Sequence, residues 1–144
     1  MKLLLITLSL LLSSLASAQA QSMAGTGSLY RALGENAGIT RLMDDFVNRV
    51  IRDERISGHF KKTKPQLLKD SLSAQICQLS GGPCQYKGPD MKSAHADMDI
   101  RKSEFNALVE DLQAAMDAKG ISFTDQNRLL AILAPMHRDV MAKD

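Results

Sequence analysis

The sequence predicts an all-α domain. Apolar residues recur at helical spacing in four long stretches, and no run alternates apolar and polar residues long enough to make a strand. Glycine and proline cluster between the periodic stretches, where helices must stop. Of 144 residues, 18 are Lys or Arg and 16 are Asp or Glu. That near balance argues against a nucleic-acid surface, and no RNA- or DNA-binding motif is present.

The chain opens MKLLLITLSLLLSSLASAQAQS. Lys2, the apolar run from Leu3 to Leu12 and the Ala16-Ser17-Ala18 site have the layout of a secretory signal peptide. The run is shorter than the roughly 20 apolar residues of a membrane span. We therefore expect residues 1–20 to be removed, residues 21–27 to be a flexible lead-in, and one domain to occupy residues 28–144. Export would place the protein in the periplasm or outside the cell, with no membrane contact after cleavage.

Within the domain, Ser28 is expected to cap a short helix, SLYRALG, that Gly34 stops, with ENAG as a linker. From Ile39 to Arg52 a helix follows. Its apolar face is Ile39, Leu42, Met43, Phe46, Val47, Val50 and Ile51, and Asp44, Asp45, Asn48, Arg49 and Arg52 lie opposite. DERISGHF reads as a short helical turn ending at Gly58, and KKTK as a basic loop. Pro65 suits the first turn of the next helix, which runs to Ser80 with Leu68, Leu72, Ile76 and Leu79 along one stripe. GGP ends it, and residues 81–95 form an irregular segment. A helix over Ser103–Lys119 turns Phe105, Leu108, Val109, Leu112, Ala115 and Met116 inward. SFTDQ is close to a capping box for the last helix, which reaches about Met141 and should kink at Pro135.

Cys77 and Cys84 are the only cysteines. An exported chain admits a disulfide. Seven residues of continuous helix would hold the two about 10 Å apart, too far for a bridge. The GGP break can fold Cys84 back. The spacing leaves a disulfide and two buried thiols both open. There is no C-x-x-C-H, which excludes covalent c-type haem attachment.

The three histidines, His59, His95 and His137, fall in different segments. Zinc would need short local ligand pairs that are missing here, and no P-loop, nucleophile elbow or H-E-x-x-H is present. A haem iron needs a single strong protein ligand, and a neutral imidazole suits it. By its own spacing, however, DMKSAHADMDI is no metal motif.

Five landmarks stand in order: SLYRALG, LMDDFVNRVIRDERISGHF, GGP followed by YKG, DMKSAHADM, and LLAILAPMHRDV. In that order and spacing, Ser28 to Val140 resembles a group 1 (N-type) truncated haemoglobin. The resemblance implies a two-over-two helical sandwich holding haem b, with the proximal helix reduced to a loop. It makes His95 the proximal iron ligand and Phe60 the ring that packs on the porphyrin. It places Val47, Leu68 and Leu72 on the distal side and Phe46 and Met91 among the haem-binding residues, with Lys64 and Lys92 as partners for the propionates. Members of the family often carry Tyr where this chain has Val47, and Gln at Leu68 or Leu72, so an apolar distal pocket is expected. Gln75 and Tyr86 are the remaining polar candidates there, although Gln75 reads as off the Leu68/Leu72/Ile76 stripe. His137 matches a histidine that in cyanobacterial relatives can bond to a haem vinyl. His59 is expected to face out or to meet a propionate.

The resemblance further implies a diatomic gas ligand, O₂, NO or CO, and a monomer. The roles it offers are oxygen binding or carriage, NO detoxification or gas sensing, with NO dioxygenase-like or peroxidase-like turnover compatible with it and an electron donor as the accompanying partner. The runner-up reading is a b-type cytochrome in which Met98, Met43 or His59 supplies a second axial ligand. A helical bundle without haem is the third.

Overall fold

A computed structural model describes residues 27–141. The expected signal peptide, and the lead-in up to residue 26, lie outside the described residues. These fold as seven α-helices: α1 (Ser28–Ala32), α2 (Glu35–Val50), α3 (Pro65–Leu79), α4 (Met91–Ala94), α5 (Lys102–Ala118), α6 (Phe123–Leu133) and α7 (His137–Val140). Two 3₁₀ turns, Ser57–Phe60 and Ala134–Met136, join them. No strand occurs among the described residues. The four long helices are those the apolar periodicity outlines, arranged as the expected two-over-two sandwich, with α2 packed against both α3 and α5.

Helix α2 is the centre of the core. Ile39, Leu42, Met43, Val47 and Val50 are 0–1 % exposed, and Phe46 is buried beside them. Burying each such side chain contributes about 1.5–3 kcal/mol. Helix α3 is anchored differently: Gln75, Ile76 and Cys77, near its C-terminal end, are buried, whereas Leu68 and Leu72 are half-buried and pack on the edge of the core. The N-terminal half of α3 is thus less buried than its C-terminal end.

Several local expectations change. Gly27, in the left-handed region at φ 78°, precedes the first turn of α1 in place of Ser28. The Ser28 hydroxyl instead accepts a hydrogen bond from Arg128 at 2.6 Å, tying α1 to α6. ENAG is no linker but the first turn of α2. The chain turns between α1 and α2 through left-handed backbone at Gly34 (φ 81°) and Glu35 (φ 57°), and the absence of a side chain eases the first. The turn expected to end at Gly58 runs instead from Ser57 to Phe60.

Pro65 opens α3 at its first turn. Ser122 caps α6, accepting from the Asp125 N–H at 3.2 Å. Pro135 breaks the last helical run, which continues through a 3₁₀ turn into α7. Cys77 and Cys84 form a disulfide with Cα atoms 5.7 Å apart, settling the choice the spacing left open. Gly82 makes the fold-back possible: a Cβ there would lie 2.5 Å from the Tyr30 ring and 2.7 Å from the Cys77 sulfur. Among the described residues, no helix is long and apolar enough to cross a membrane.

Candidate functional site

His95 follows the single turn of α4. Asp90 starts that turn, its carboxylate accepting from the Ser93 N–H at 2.7 Å. The same bond, with a second from the Ser93 side chain, holds the Asp90 carboxyl below its usual range. Beyond His95 the chain turns sharply, with Asp97 and Asp99 in the left-handed region at φ 62° and 47°. Aspartate is among the residues that enter this region most readily. Three polar residues thus hold a histidine where no long helix is present to carry it.

The imidazole is oriented as a metal ligand would be. Its Nδ1 lies 2.8 Å from the Met91 carbonyl oxygen. A carbonyl only accepts, so Nδ1 carries a proton, and in the neutral ring Nε2 keeps its lone pair. Metal-bound histidines commonly donate their second ring N–H to a backbone carbonyl in this way. His95 shares a small cavity with Ile56, His59, Phe60, Met98, Ile100, Glu104, Phe105, Leu108 and Val140. Apart from His59, His95 and Glu104, the lining is apolar.

The expected site residues do not all line this cavity. His95 and Phe60 line the one cavity, and Met91 supplies the carbonyl that orients His95. Leu68 and Leu72 are half-buried on α3. Val47 and Phe46 are buried on α2, the helix against which α3 packs. Lys64 and Lys92 are exposed. Lys64 stands just before α3, whereas Lys92 lines a surface groove with His95, Asp97, Asp99 and Arg138. The half-buried His137 ring meets the Phe105 ring edge-on, with centroids 4.7 Å apart.

Two residues stand differently from expectation. Gln75 is not off the inward stripe: it is 8 % exposed, and its amide donates to the Met91 sulfur at 3.5 Å, joining α3 to α4. The seven-residue step from Leu68 to Gln75 is close to two helical turns, so the signal was present in the spacing. His59 faces inward, with Nε2 3.3 Å from Glu104 Oε1. Residue-type reasoning did not single out Glu104, Ile100 or Ile56. The spacing in Arg101-Lys-Ser-Glu104 resembles a capping box and could have flagged the first.

The Glu104 carboxylate accepts from the Arg101 guanidinium at 2.9 Å and from its backbone N–H at 2.8 Å. These bonds, with the His59 contact, lower its carboxyl to about 2. A carboxyl depressed in the folded state adds stability above its unfolded value of 4.5, and that stability is lost as pH falls toward 2. Glu104→Gln is therefore expected to lower the chemical-denaturation midpoint near neutral pH, with the gap to the parent closing between pH 4.5 and 2. A gap independent of pH would assign the effect to packing alone.

The donor set suits the haem that the resemblance implies. One neutral imidazole has a free Nε2, and half-buried Phe60, Leu68, Leu72, Met98, Phe105 and Leu108 offer apolar surface. Comparison with known proteins agrees. Residues 28–142 match the family model described as bacterial-like globin. A group 1 truncated hemoglobin of Tetrahymena thermophila is 27 % identical over 116 residues, covering 81 % of this chain and 96 % of the relative. The group 1 truncated hemoglobin GlbN of a Nostoc species is also 27 % identical, over 81 % and 98 % of the two chains. Among solved structures, the Fe(III) form of the Tetrahymena pyriformis truncated hemoglobin superposes with TM-score 0.76 at 27 % identity, over 80 % of this chain and 98 % of that one. A Synechococcus 2/2 hemoglobin, solved in the cyanomet state with covalently attached heme, reaches TM-score 0.75 at 23 % identity over the same shares, a likeness of fold.

Proposed function

Because the chain belongs to the bacterial-like globin family, as a group 1 truncated haemoglobin, we propose that it holds haem b through His95 Nε2 and binds a diatomic gas on the opposite face. The observation that carries this reading is the 2.8 Å bond from His95 Nδ1 to the Met91 carbonyl, which leaves Nε2 free as a donor. Bound haem supplies the iron that takes the gas. The chain supplies position and environment. Phe60 and Leu108 give the ring an apolar wall, and Lys64 and Lys92 are the cations we assign to its propionates. Val47, Leu68 and Leu72 present only C–H groups to the distal side.

That apolar lining sets the ligand preference. A dioxygen ligand gains about 1.5–3 kcal/mol from one charge-assisted donor, and none of these three residues offers one. CO and NO depend less on such a donor. We therefore read the protein as a reversible gas binder with weak retention of O₂, suited to carriage or to NO scavenging and not to tight oxygen storage. An electron donor would accompany the scavenging role.

A second protein ligand, as in a b-type cytochrome, has less support. Met98 lines the His95 side, three residues from it. Met43 is 1 % exposed in the α2 core, and His59 is paired with Glu104. Optical spectra of the purified protein test the choice. The ferrous form is expected to be five-coordinate or weakly six-coordinate and to bind CO rapidly. A sharp low-spin ferrous spectrum that resists CO would favour the cytochrome.

Lys2, the Leu3–Leu12 run and the Ala16-Ser17-Ala18 site further support export to the periplasm or the medium. The same preparation, from an exporting host, is expected to have the mass of a chain starting at Gln19 or Gln21. A full-length mass would count against export.

A further inference from the structure

We propose that the Cys77–Cys84 disulfide is a redox-cleavable latch that positions the histidine ligand, so that its reduction loosens haem retention. The inference rests on the reading of His95 as the iron ligand.

Cys77 lies near the end of α3 and is 1 % exposed, while Cys84 is half-buried in the irregular segment that leads to α4. The bridge sits where three parts of the fold meet. The Gly82 N–H donates to the Cys77 carbonyl at 2.8 Å, and the Tyr30 N–H donates to the Ser80 carbonyl at 3.1 Å. The Asn36 amide tip, at the start of α2, lies 3.2 Å from both sulfurs. After this joint the backbone loses its usual support: residues 83–89 make no backbone–backbone hydrogen bond. Beyond the bridge, two weaker ties hold the stretch before His95 to α3. The Tyr86 N–H donates to Gln78 Oε1 at 2.6 Å, and the Gln75 amide donates to the Met91 sulfur at 3.5 Å. A segment without a backbone ladder is ordered by whatever tethers it, and here the strongest tether is covalent.

Exposure gives the bond a direction of cleavage. A thiolate from an external dithiol attacks the Cys84 sulfur, forming a mixed disulfide, and Cys77 leaves as a thiolate that takes a proton. The second thiol of the reductant resolves the mixed disulfide and releases Cys84 as a thiol. The reductant becomes a disulfide, and the protein gains two electrons and two protons.

The test compares the haem-loaded wild type with Cys77→Ala/Cys84→Ala, with Cys84→Ala, and with wild type reduced by dithiothreitol and alkylated. The readouts are ferric haem transfer to excess apomyoglobin and the iron–histidine stretching band of the ferrous form. We expect transfer to quicken about fivefold to tenfold and the band to shift or broaden in all three altered forms, with helix content unchanged. Transfer within about twofold of wild type and an unmoved band would overturn the latch. So would an effect seen only where Cys77 itself is replaced, which would be lost packing, or alkylation of the wild type before reduction. The His95 reading is tested separately: its failure would show as a wild-type iron–histidine band that survives His95→Gly, whereas failure of the latch leaves that band histidine-dependent and unmoved by reduction.

Discussion

His95→Gly is expected to abolish stable haem loading. The imidazole is held by the Met91 carbonyl at one nitrogen and offers the other, and both remaining histidines have other partners. His59 is paired with Glu104, and His137 lies edge-on against Phe105. Loss of an outer partner of a metal ligand typically weakens a site 10–100-fold, and loss of the ligand itself should exceed about a hundredfold. Haem titration followed at the Soret band measures the effect. Added imidazole should restore a large part of the affinity, because the cavity left by the side chain admits the free ring. An unchanged Soret band and unchanged affinity without imidazole would remove His95 from the site. Because His95 is only partly buried, the apoprotein fold should survive the change, so lost haem would not simply report unfolding.

The second large effect is expected on the distal side. Val47→Tyr or Leu72→Gln should slow O₂ dissociation about tenfold or more for each hydrogen bond gained, at 1.4 kcal/mol per decade. CO dissociation should change less, since that ligand carries less negative charge. The two variants guard against different failures. Val47 is 0 % exposed, so a larger ring there risks overpacking that costs about 1–3 kcal/mol, visible as a lower melting temperature. Leu72 is half-buried and close in size to Gln, so Leu72→Gln tests the pocket with less strain. Stopped-flow exchange of O₂ for CO gives the rates. Unchanged O₂ dissociation in both folded variants would show that neither position faces the gas.

These two predictions draw on different levels of information. His95 stands out once the order of SLYRALG, the Phe60 segment, GGP and DMKSAHADM is taken whole; its own neighbours carry no ligand spacing. The four long helices are legible because burial of one face imposes a period of 3.6 on apolar residues, and Ile39 through Val50 keep it almost without exception. Short elements are harder. The first turn of α2 is Glu-Asn-Ala-Gly, a composition that local propensity assigns to a linker. It is helical because Gly34 and Glu35 turn the chain in the left-handed region and Gly38 fits against Leu33, where a Cβ would lie 2.1 Å from the carbonyl oxygen. Gln75 reads as off the Leu68/Leu72/Ile76 stripe, whereas the structure buries it and its amide finds a sulfur acceptor across the α3–α4 gap.

By itself the sequence determined that the domain is helical and which faces of its long helices are buried. Such facts are written in spacing and residue type, which follow from local geometry. Only the tertiary structure decided that Cys84 returns to Cys77, that His59 turns inward to Glu104, and that the Met91 carbonyl fixes which nitrogen of His95 is free. Each depends on where an irregular segment comes to rest. That is set by contacts between groups from separate parts of the fold, and no periodicity encodes them.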